Sequence, residues 1–182
     1  SKTVMKNLKT ILLAQILFLF ALTTVAQTRL TKEEKNTALN HLKQSQAELM
    51  IAVKGLTEAQ LNYKPNEEAW SIAETVEHIA ASEKSIFGIV EMALKTEPDP
   101  SLRSEVKMSD LQVLALINSR QQKVKTTPPN EPTNRFEGFD GSLAEFKEKR
   151  KATLKYVKSS KDDLRNRYFD FPFGKVDAYQ VI

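Results

Sequence analysis

Two histidines, at positions 41 and 78, and no cysteine are what this chain brings to transition-metal or nucleophilic chemistry. Without cysteine there is no thiolate ligand, no thiol catalysis and no disulfide. A neutral imidazole suits zinc or nickel. A catalytic zinc site takes three protein ligands and leaves one position open for water. His78 is the candidate metal ligand, and by itself it fills one position of such a set. Glu83 is the one well-placed carboxylate. No catalytic base is assigned, and neither is a residue that binds any other cofactor.

Three polar residues fall inside apolar stripes when residues are spaced 100° apart on a helix. Glu83 sits near the centre of the stripe of Ile72, Val76, Ile79, Ile86, Phe87, Val90 and Leu94. Arg150 sits near the centre of the stripe of Leu143, Phe146, Leu154 and Val157. Gln46 lies among Leu39, Leu42, Leu49, Met50 and Val53. A lone buried charge is costly, so these groups should meet. The spacing predicts a Glu83–Arg150 pair across the helices with Gln46 beside it, fixing their register. His78 and His41 both lie off the stripe centres. His41 reads as a surface residue. His78 shares a flank with Ile89 that can face a second neighbour.

The elements that must hold these residues read as helices. Thr31 with Glu34 forms a capping box for a helix to about Lys54, which Gly55 stops. Thr57 with Gln60 caps a short turn that Pro65 ends. Ser71 with Glu74 caps a long helix to about Lys95, placing His78 two turns in. Residues 96–108 read as loop, and Ser109 to about Lys125 as a weaker helix. Pro128, Pro129 and Pro132 enforce an irregular stretch to Gly141. Ser142 with Glu145 caps the next long helix, over 142–159. Asp162-Asp163-Leu164 reads as a short turn. Phe171-Pro172-Phe173-Gly174 breaks the chain, and Asp177 caps a further helix. Five glycines and no alternating runs argue against a sheet. The expectation is an all-α bundle with a long crossover over about residues 96–141.

Lys2, Lys6 and Lys9, the apolar run Ile11–Leu22 and Thr24-Val25-Ala26 have the layout of a secretory signal peptide. The expected leader is 1–26, with Gln27 the first mature residue and 27–182 one domain. The expected location is exported, periplasmic or extracellular, with no stable membrane anchor after cleavage. The chain has 27 Lys+Arg against 23 Asp+Glu, and the leader alone holds three of those lysines and no acid. The remainder is nearly neutral. It carries no clustered basic face, so no nucleic-acid partner is expected.

Gly55-Leu56-Thr57-Glu58-Ala59-Gln60-Leu61, Tyr63-Lys64-Pro65 and Trp70-Ser71-Ile72-Ala73-Glu74, with His78-Ile79 and Glu83, resemble the DinB-like superfamily. Arg150 agrees with the family's third helix. Leu164, Tyr168-Phe169, Pro172-Phe173-Gly174 and Asp177-Ala178-Tyr179-Gln180 resemble the run into its last helix. The resemblance implies a four-helix bundle with a long crossover between helices 2 and 3. It also implies a divalent metal, nickel or zinc, held by three histidines, of which His78 matches the first. The other two would be a pair on the last helix, and this sequence reaches only that helix's first turn. The fourth helix therefore reads as truncated, with no metal expected in the chain as given.

The reading that follows is an exported DinB-like protein, in complete form a metal-dependent hydrolase or thiol-dependent transferase acting on an unidentified small molecule. The alternative is a non-catalytic helical bundle binding an apolar ligand or protein partner. Uncovered apolar stripes also point to a homodimer.

Overall fold

In the computed structural model the described residues are 29–119 and 125–182. The signal-peptide expectation, and the part of the weaker helix over 120–124, fall outside them. The long helices are α1 (Lys32–Val53), α3 (Ile72–Leu94) and α5 (Phe139–Ser159). The short ones are α2 (Glu58–Asn62), α4 (Asp110–Asn118) and α6 (Ala178–Val181). Strands β1 (Tyr168–Phe171) and β2 (Gly174–Asp177) form an antiparallel hairpin between α5 and α6. None of the described helices is long and apolar enough to cross a membrane.

Local chemistry sets the helix starts. Thr31 accepts the Glu34 N–H through its hydroxyl at 3.0 Å, while the Glu34 carboxylate takes the Thr31 N–H at 2.7 Å. Ser71 and Glu74 do the same for α3, at 3.2 and 2.8 Å. Each box satisfies two backbone donors that a helix end leaves open. Thr57 with Gln60 forms the further box expected of it, and Asp177, expected as a cap, forms a box with Gln180. Gly55, at φ +74°, takes the left-handed position that ends α1.

α3 packs along α5, α1 packs on α5, and α6 packs on α3. Val76, Val90, Phe146, Val157 and Leu164 are the large apolar residues sealed at their centre. Burying one such side chain stabilises by about 1.5–3 kcal/mol. The connection from α3 to α5 is long. It holds a 3-10 turn at Pro100–Glu105, then α4, then a second 3-10 turn at Pro128–Asn130.

Two expectations are corrected. Ser142 does not cap α5. The helix starts a turn earlier at Phe139, after Gly138 at φ +98°, and the Ser142 hydroxyl donates back to the Gly138 carbonyl at 2.8 Å. Gly141 makes this start possible, because a Cβ there would collide with the Phe136 carbonyl. A small sheet also exists. Tyr168 pairs with Asp177 and Phe171 with Gly174, the turn lying between. Four-residue strands are too short to show the alternation that signals a sheet.

The hairpin is held by charge. Arg165 donates to buried Asp177 at 3.0 Å, to Asp110 of α4 at 2.7 Å and to Glu34 of α1 at 2.8 Å. Its guanidinium lies 3.9 Å from the centre of the Tyr179 ring. Arg103 also reaches Asp177. The hairpin, α6 and the starts of α1 and α4 are thereby joined.

Candidate functional site

Trp70 and the α3 capping box bring the chain into α3, and His78 follows two turns later. The His78 Nδ1 lies 2.8 Å from the Asn130 carbonyl oxygen. A carbonyl can only accept, so Nδ1 carries a proton, and in the neutral ring Nε2 keeps its lone pair. That is the tautomer of a histidine ligand whose other nitrogen is held by a backbone carbonyl. The half-buried ring also packs on Trp70, with centroids 5.0 Å apart. His78 therefore faces the crossover rather than the centre of the bundle.

The crossover is fastened to α3 around this histidine. The Ser85 hydroxyl donates to the Asn130 side-chain oxygen at 2.6 Å. Glu77, 5% exposed, accepts three consecutive backbone N–H groups, from Thr133 at 2.8 Å and from Asn134 and Arg135 at 2.9 Å. Burial pushes the Glu77 carboxyl up. Those three N–H groups and the Arg135 charge outweigh it and hold the carboxyl below its ordinary value. The Arg135 guanidinium spans the carbonyls of Pro129 and Glu131, both at 2.5 Å, on either side of Asn130.

Glu83 and Arg150 meet as the stripes predict. Arg150 Nε donates to both Glu83 carboxylate oxygens at 3.1 Å, and Nη2 adds a further bond. The α1 partners are the Leu42 carbonyl at 2.5 Å and the Ser45 hydroxyl at 2.8 Å. Ser45 takes the place expected of Gln46, because the guanidinium reaches α1 one residue earlier. The pair also lines a cavity of about 420 Å³, whose walls include Ile86, Phe87, Val90, Val113, Leu114 and Ile117. His41 is exposed at the rim of this cavity, and His78 does not line it.

The fit to a metal is partial. His78 presents a free Nε2, as a ligand must. Among the described residues, however, no three histidine, aspartate or glutamate side chains come together to hold an ion. Glu77 stands next to His78 in sequence, but its oxygens are committed to the loop.

The DinB superfamily model matches residues 41–182. The chain belongs to the DinB superfamily. Among solved structures, YfiT from Bacillus subtilis is similar, with 21% identity and a TM-score of 0.51. The match covers 83% of this chain and 77% of YfiT, which is described as a probable metal-dependent hydrolase with an unusual four-helix bundle topology. This likeness supports the fold, the long crossover included. No curated protein matches.

Glu77, Asn130 and Ser45 escape a reading of the sequence. Glu77 lies off the apolar stripe, and its partners are backbone groups. Only the run Pro128-Pro129-Asn130 hinted that the segment beside α3 has a fixed shape.

Proposed function

We propose that this DinB protein is an exported metal-dependent enzyme, a hydrolase acting on a small molecule, with His78 Nε2 as one ligand to nickel or zinc. The observation that carries the reading is the bond from His78 Nδ1–H to the Asn130 carbonyl, which leaves Nε2 as the free donor. The superfamily membership and the description of YfiT support it. Among the described residues no three such donors come together. Thiol-dependent group transfer is the second chemistry the superfamily suggests, and substrate trials with and without a thiol separate the two. The role of this chain's own residues is to hold the imidazole in one tautomer against the bundle.

Metal content of protein expressed from the full coding sequence tests the reading. Bound nickel or zinc that is lost in His78→Ala supports it. No bound metal, or binding indifferent to that change, removes it. Sequencing the amino terminus of secreted material tests export, with Gln27 expected first. A homodimer that covers exposed Leu111 and Ile117 of α4 belongs to the same proposal, and a monomer in sedimentation velocity removes that part.

The cavity favours a second reading, a metal-free module for an apolar ligand. Its volume of about 420 Å³ falls in the range of small-molecule sites, about 300–1,000 Å³. Binding of an apolar fluorophore that is lost in Val113→Lys and unchanged in His78→Ala would favour it.

A further inference from the structure

We propose that Glu77 is the positioning residue for His78, acting through the crossover loop. The two residues are neighbours on α3, yet they engage different parts of one loop. Glu77 takes the N–H groups of Thr133, Asn134 and Arg135. His78 donates to the carbonyl of Asn130. Arg135 joins these two points. Its N–H is held by Glu77, and its guanidinium clasps the carbonyls of Pro129 and Glu131. Asn130 is thus fixed from both sides, and the Ser85 hydroxyl holds its side chain from two turns further along α3.

The proline-rich segment has few other means of staying in place. The turn Pro128–Asn130 has no side-chain cap at its start. Pro128, Pro129 and Pro132 supply no N–H of their own. Asn134 and Glu137 hold left-handed backbone angles, φ 60° and 59°, a region uncommon for non-glycine residues that asparagine tolerates better than glutamate does. A buried carboxylate that accepts three successive N–H groups imposes such a shape. Its consequence is chemical. With the Asn130 carbonyl fixed, the imidazole proton is confined to Nδ1 and the lone pair to Nε2. With the loop released, the ring is free to take the other tautomer and to turn away.

The geometry stands without a metal. Its value for ligation rests on the reading of His78 given above. The tautomer is therefore the primary readout. Two-bond 15N–1H NMR correlations of the imidazole are recorded at pH ~8, above the usual histidine pKa of about 6.5. The parent protein should show the Nδ1–H form. Glu77→Gln has one carbonyl oxygen where two carboxylate oxygens stood, and its amide faces one of the loop N–H groups. It should shift His78 towards the Nε2–H form. Arg135→Ala removes an exposed side chain, keeps the N–H that Glu77 binds, and should shift the ring in the same direction by less. It carries the test if Glu77→Gln does not fold. Folded variants with an unchanged His78 tautomer overturn the proposal, and so does a parent that already shows the Nε2–H form. In protein that binds nickel or zinc, loss of the loop bond should weaken metal affinity about 10–100-fold. A tautomer shift in a protein that binds no metal upholds the positioning role and removes the metal reading alone.

Discussion

Arg150 of α5 donates to both carboxylate oxygens of Glu83 on α3, and the same guanidinium bonds the Leu42 carbonyl of α1. One side chain thereby sets the register of three helices. The side chains of the pair are only 9% and 12% exposed. Removing one partner leaves the other charge buried and unpaired, which costs about 3–5 kcal/mol. Glu83→Ala should therefore lower the urea midpoint strongly, at an unchanged slope. Glu83→Leu with Arg150→Met should regain most of the loss. Full stability in Glu83→Ala would show that the pair contributes nothing.

The carboxylates around Arg165 predict the acid limb of stability. The Arg165 bond lowers the Asp110 pKa below its ordinary 3.8, against a smaller opposing effect of burial. Burial raises Glu34, but bonds from Thr31 and Arg165 outweigh it and hold the group below 4.5. For a depressed folded pKa, the unfolded chain takes up protons first as pH falls. Stability is then fully present above the unfolded values and is lost as pH drops through the folded ones. Urea midpoints should be flat between pH ~5 and ~9 and fall below that range. Glu34→Gln should make that fall shallower, and an unchanged slope would separate Glu34 from the acid transition.

How much of this was legible depends on where the information lies. The capping boxes at Thr31, Thr57 and Ser71 are local and form as the sequence predicts, and Asp177 caps α6 as expected. The Glu83–Arg150 pair was legible because a charge centred in an apolar stripe must find a partner. The Ser142-to-Glu145 spacing has the form of a capping box but lies one turn inside α5. The tight approach of the Phe136 carbonyl to Gly141, which shifts the start, is a local backbone contact that no side-chain pattern marks. The anchoring of the crossover was not legible. Glu77 binds backbone N–H groups, which every residue but proline carries, so no side-chain pattern marks residues 133–135 as its partners. His78 was visible as a residue type, but its orientation depends on the same loop.

Two tyrosines should resist ionisation. Burial pushes the Tyr179 phenol up from 10.0 to about 12, only partly offset by the Arg165 charge beneath its ring. Burial likewise pushes Tyr156 up to about 12; a bond to Ser160 works against this, and Asp162, 2.8 Å from the hydroxyl, adds to it. A raised folded pKa means stability is complete below the unfolded value and declines as pH rises towards the folded one. Of the four tyrosines, Tyr156 and Tyr179 should ionise near pH 12 in an absorbance titration, and burial should delay Tyr168 as well. Phenylalanine at 179 should remove one late step. If all four ionise together while the fold persists, the burial argument is wrong.

Trp70 offers a direct view of His78. It is the only tryptophan in the chain, and its ring centre lies 5.0 Å from that of His78. A paramagnetic ion bound at Nε2 would sit within a few ångströms of the indole and quench its emission by contact. If the metal reading holds, nickel titrated into protein expressed from the full coding sequence should quench Trp70 saturably, and zinc, which is diamagnetic, should compete without quenching to the same depth. His78→Ala should abolish the saturable phase while leaving the unfolding midpoint nearly unchanged, since the half-buried ring contributes one bond to the crossover. His41→Ala should leave the titration unchanged, because that residue lies on α1 at the rim of the apolar cavity. Saturable quenching that survives His78→Ala would place the ion elsewhere. Quenching that follows His41 instead would move the candidate site to the cavity and make α1, rather than the Trp70–His78 segment, the metal-bearing element.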